Sequence, residues 1–165
     1  MNVKCILMSL FVWASTVQAQ TYYYYKGKKI GIALDSTKCT IFRDTPPLLL
    51  RSAGSDIGKN WNVVEKDSIK ILQARNSSLP SDILVIEPVL FPSETPVSRL
   101  FYVKLKSECD TLFLKTFAEE NGCKVERQVK QMPLWYALST SLHSAGNSIE
   151  MSNRCFEAGR VADVD

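Results

Sequence analysis

The one imidazole in the chain is His143, in the segment Leu142-His143-Ser144-Ala145-Gly146. Any Ser-His-Asp or Cys-His nucleophile must therefore be built around this residue. Serines and aspartates are plentiful, but a lone histidine among Gly and Ser in a loop is far more often solvated than catalytic. A Cys-His pair is formally open. The expectation is that no residue is catalytic. Zinc-knuckle spacing is missing among the cysteines, and one histidine makes a metal site improbable. Neither Gly-x-Gly-x-x-Gly nor a Walker sequence occurs, so no phosphate cradle and no cofactor are expected.

The elements that would have to hold any site begin after an export signal. Met1-Asn2-Val3-Lys4 is a short positive start, Cys5 to Ala14 is apolar, and Val17-Gln18-Ala19 offers small residues for cleavage. The apolar run is much shorter than the roughly 20 residues of a spanning helix. Residues 1–19 thus read as a Sec signal, placing the mature chain in the periplasm, in the medium or on the cell surface, with no membrane span left after cleavage. Removing Lys4 from the formal +3 leaves +2, with both signs interspersed, and nothing asks for nucleic acid. At 45% hydrophobic and 22% charged, the 165 residues suit one or two small globular domains. Export permits disulfides among Cys39, Cys109, Cys123 and Cys155. Cys109 and Cys123 bracket a predicted helix and stay apart, which leaves Cys109 with Cys155 as a possible pair. Free, partly buried thiols are the favoured reading.

Residues 20–96 read as a β-rich module. Tyr22-Tyr23-Tyr24-Tyr25, the turn at Lys26-Gly27 and Lys29 to Leu34 form a hairpin signature. The tyrosines could stack on a ligand, but alternate rings packing inward is the plainer reading. Lys26, Lys28 and Lys29 then belong to a solvated turn. Further strands are expected at Lys38 to Arg43, Trp61 to Val64, Ile69 to Ala74 and Asp82 to Glu87. Pro88, Pro92 and Pro96 suggest a stiff connection and a domain boundary.

Residues 97–165 show a sharper pattern. Phe101, Val103 and Leu105 alternate with Tyr102, Lys104 and Lys106, the period of a half-buried strand. Ser107 and Asp110 suit a helix cap, Leu114, Phe117 and Ala118 recur at helical spacing, and Asn121-Gly122 supplies a stop. Cys123 to Met132 and Leu134 to Thr140 read as strands around Pro133. A second helix is capped near Asn147 or Ser148, turns Ile149, Ser152 and Phe156 toward the sheet, and ends at Gly159. Val161 to Val164 starts a fourth strand. The fold class is α+β: a ferredoxin-like β-α-β-β-α-β unit, helices on one face and the other face open.

Phe101-Tyr102-Val103-Lys104-Leu105-Lys106, Pro133-Leu134-Trp135-Tyr136 and Ile149 to Gly159 together resemble the prodomain of secreted subtilisin-like serine proteases of Bacteroidetes. Neither His-Gly-Thr nor Gly-Thr-Ser-Met-Ala of the protease domain itself occurs in the chain. The resemblance implies a non-catalytic partner of a subtilisin-like protease, acting as folding chaperone or inhibitor, or else a truncated precursor. It also implies docking through the open sheet face, with Tyr102, Lys104, Gln128, Lys130, Trp135 and Ala137 outward and Asp163-Val164-Asp165 as the stub of a cleft-binding tail. The opposite register, with Trp135 in the core, stays open. A tail so short should occupy the cleft poorly, and the last strand should fray. The competing reading is an adhesion or binding module that works through the aromatic N-terminal hairpin.

Overall fold

The computed structural model describes residues 21–41, 61–66, 69–74, 87–141 and 143–165. The expected export signal, residues 42–43 and residues 82–86 lie outside them. The described chain is a mixed α+β structure. It holds a two-stranded hairpin and two four-stranded antiparallel sheets, one of them backed by two helices.

The hairpin pairs β1 (Tyr22–Tyr25) with β2 (Lys28–Gly31). Lys26 and Gly27 both have positive φ, 49° and 70°, the two-residue turn that matches the twist of the flanking strands. The first four-stranded sheet joins β3 (Leu34–Ile41), β4 (Trp61–Lys66), β5 (Ile69–Ala74) and β6 (Glu87–Leu90) in the order β4-β5-β3-β6. The first of the three prolines is therefore strand rather than connector. Pro88 is tolerated because β6 is an edge. The chain then folds back on itself, with Val97 N–H donating to Pro88 O at 2.9 Å and Val89 bridging Pro96.

The C-terminal unit runs β7 (Leu100–Leu105), α1 (Thr111–Glu120), β8 (Lys124–Gln128), β9 (Trp135–Ser139), α2 (Ser148–Glu157) and β10 (Val161–Val164). Its sheet order is β10-β7-β9-β8. Phe101, Val103 and Leu105 alternate inward as their spacing predicts. They meet Leu138, Val161 and Val164 from the sheet, Leu114, Phe117 and Ala118 from α1, and Met151 and Cys155 from α2. Ser107 opens α1 through a short 3-10 turn, its N–H and hydroxyl both donating to Asp110 Oδ2 at 3.2 and 3.0 Å. Asn147 caps α2 reciprocally: Glu150 N–H donates to Asn147 Oδ1, and Asn147 N–H donates to Glu150 Oε2, each at 3.0 Å.

The inward stripe of α2 is wider than the expected Ile149, Ser152 and Phe156. Ser148, Met151, Ser152 and Cys155 are buried, whereas Phe156 is only half-buried. Phe156 packs against the core cluster and also on Tyr24, ring centroids 4.4 Å apart, because the hairpin covers a second side of the helix. Tyr22 and Tyr24 donate their hydroxyls to Glu157 Oε1 at 2.8 and 3.1 Å, and Asn153 Nδ2 donates to Tyr22 O at 2.6 Å. A polar-looking face of α2 is thus covered in part by the hairpin.

Just after β10, Asp165 exchanges both backbone hydrogen bonds with Tyr102, donating at 2.9 Å and accepting at 2.6 Å.

Candidate functional site

Directly opposed residues of an antiparallel sheet share a face, so the pairing decides which side chains stand on the side away from the helices. Lys104 faces Trp135 across β7 and β9, and Asp163 faces Lys104 from β10. Beside this row, Tyr102 faces Ala137, and Arg127 of β8 faces Ala137 from its other side. The outward register holds for Trp135. Tyr136 and Leu138, the neighbours of Ala137 in sequence, pack with the core.

Tyr102, Lys104 and Trp135 are half-buried, while Ala137 is fully buried within the face and offers no surface of its own. Gln128 stands opposite Tyr136, on the row that belongs to the helix-covered side. The cause is an irregularity between Val125 and Arg127, which places one extra residue, Glu126, in β8. That slip brings Arg127 onto the face in place of Gln128, and strict alternation along the sequence carries no signal of it. Ser139 Oγ donates to Glu126 Oε1 at 2.7 Å and holds the bulge. Lys130 is exposed in the connection after β8. From the expected tail, Asp163 and Asp165 reach this face, but Val164 points into the core.

Beside Trp135 the face carries a groove of about 420 Å³. Its lining includes Tyr102, Met132, Trp135, Asp163 and Asp165, and the hairpin tip contributes Tyr25 and Lys26. The hairpin thus wraps the β10 side of the unit, with Tyr24 on α2 and Tyr25 at the groove. No sequence signal linked the tyrosine run to this face, since the groove residues it meets are remote in sequence.

The chemistry elsewhere is muted. His143 is exposed, and its backbone N–H donates to Ser141 Oγ at 3.1 Å. The four described cysteines are free thiols. Burial pushes Cys39 and Cys155 up to about 12, and it also raises Cys123. Cys109 is exposed on the turn before α1. A thiol reagent at neutral pH should therefore label Cys109 rapidly and leave Cys39 and Cys155 untouched until the protein unfolds, a difference that mass spectrometry of timed aliquots will read. Fast labelling of Cys155 would contradict the packing of α2. Among the described residues no group of three or more His, Cys, Asp or Glu could hold a metal ion.

One buried carboxylate escaped the sequence reading. Glu87, 1% exposed on β6, accepts from Thr140 Oγ1 at 2.5 Å, from Ser148 Oγ at 2.6 Å and from Ser148 N–H at 2.9 and 3.0 Å. It sits at the first turn of α2, where the free N–H groups of the helix favour a negative charge. Burial nevertheless raises its pKa above the ordinary 4.5, against the hydrogen bonds from Ser148 and Thr140 that lower it. Its role is to join β6 to the C-terminal unit.

Comparison with protein-family models, with curated proteins and with solved structures returns no match. Among the described residues, no helix is long and apolar enough to cross a membrane.

Proposed function

We propose that this is an exported, non-catalytic binding protein that docks onto a subtilisin-like serine protease through the helix-free face of its C-terminal sheet, as a folding chaperone or inhibitor or as the prodomain of a precursor. The observation that carries the reading is the placement of Trp135 beside Tyr102 and Lys104 on that face, where a half-buried aromatic is ringed by charged groups. Such a composition is typical of interface hot spots. The sheet order β10-β7-β9-β8, with both helices among the core contacts of one face, supports the ferredoxin-like split β-α-β arrangement proposed for the unit. The competing adhesion reading is less favoured, because Tyr22 and Tyr24 of the hairpin are engaged on α2 rather than presented outward.

The test is a binding and residual-activity assay with a secreted subtilase from the same cell. Trp135→Ala should weaken binding by about 2 kcal/mol, close to thirtyfold, with circular dichroism unchanged. Unchanged affinity in a folded variant would remove the sheet face as the docking surface.

A further inference from the structure

The groove beside Trp135 combines two features that an apolar contact does not need. Tyr25, Tyr102 and Trp135 supply aromatic surface, and Asp163 and Asp165 supply two carboxylates to the same lining. Aromatic faces attract cations, and carboxylates add the opposite charge that completes such a site. Asp163 Oδ1 accepts from Val164 N–H at 3.0 Å, which orients its carboxylate. An anionic group entering here would meet both aspartates. A purely aliphatic one would leave them facing a surface that cannot pair with them.

We infer that this groove receives an arginine side chain of the docked partner. The inference rests on the docking reading and adds the chemistry of the contact. Arginine fits better than lysine, because its planar, weakly hydrated guanidinium stacks on rings and pairs with carboxylates at once. Two cations of the protein itself compete for the site. Lys26 belongs to the lining and holds its Nζ 5.2 Å from the Tyr25 ring centroid, and Lys104 stands between Asp163 and Trp135 in the pairing. Lys26 is exposed at the turn. A guanidinium that displaces it takes over the ring surface it leaves.

The probe is N-acetyl-arginine methylamide, titrated into isotope-labelled protein while the Trp135 indole N–H is followed by NMR, the signal being assigned by its loss in Trp135→Phe. The uncharged isostere N-acetyl-citrulline methylamide is the control. A saturable shift is expected for the arginine compound, with the citrulline compound about tenfold weaker. Asp163→Asn should weaken the arginine response severalfold, and Lys26→Ala should strengthen it. Equal responses to the two compounds, or no saturable shift from folded protein, would overturn the inference. Should arginine fail to bind while Trp135→Ala still weakens protease binding, the docking face stands and the arginine is wrong. Should arginine bind while Trp135→Ala leaves protease binding intact, the groove keeps its cation and the protease is not its source.

Discussion

Glu87→Ala is expected to lower the stability of the protein by about 3 kcal/mol or more, read as a shift in the urea midpoint. The loss has two parts. Ser148 N–H, Ser148 Oγ and Thr140 Oγ1 all donate to this carboxylate in a buried site. Each donor left without a partner costs on the order of 1–3 kcal/mol. The first turn of α2 also loses the negative charge that faces it. Glu87→Gln keeps the shape and one acceptor oxygen, so its cost should be smaller, about 1–2 kcal/mol. The pH dependence separates charge from shape. Glu87 has a folded pKa above its ordinary 4.5, so between the two values the folded state binds the proton more tightly than the unfolded one. Stability from this group falls as pH rises through the folded pKa and recovers as pH drops toward 4.5. The wild type should therefore gain on Glu87→Gln as pH is lowered from 7 toward that value. A gap that narrows on acidification would show that the carboxylate is not held against its own desolvation.

Gly122→Ala should cost about 3 kcal/mol, by a different mechanism. Gly122 has φ of +64°, the left-handed conformation that closes α1, and any side chain there carries a backbone penalty. A Cβ would also stand 2.3 Å from His143 O, a backbone atom that cannot rotate aside. The loop is held in that position by Ser141 Oγ and Ser144 Oγ, both donating to Gly122 O at 2.8 Å, and by Ala145 N–H donating to Asn121 O at 3.0 Å. Gly27 is the control, because it has a similar φ of +70° and a Cβ added there would meet nothing within 4 Å. Gly27→Ala should show the backbone penalty alone, about 1 kcal/mol. Equal losses at the two glycines would mean that the His143 loop yields freely.

The sequence by itself determined whatever depends on neighbours a few residues apart. Period-two alternation placed Phe101, Val103 and Leu105 inward. Side chains on one strand must alternate, so the same rule put Trp135 on the face opposite Tyr136. The Ser107-Asp110 and Asn147 caps, the Gly122 stop and the Lys26-Gly27 turn were legible for the same reason, since each is closed by a residue two to four positions away. Tertiary structure decided the rest. The bulge at Glu126 moved Gln128 off the face and Arg127 onto it, because a one-residue slip reverses every later side chain and leaves no mark on composition. The tyrosine run read as a hairpin with alternate rings packed inward, but what lies beneath those rings, Glu157 and Phe156, was not legible, and the covered stripe of α2 is wider than expected because the hairpin covers a second side of the helix. Glu87 read as the end of an ordinary strand. Its meaning comes from donors at Thr140 and Ser148, 53 and 61 residues away, and hydrophobic periodicity holds no record of a hydrogen bond at that separation.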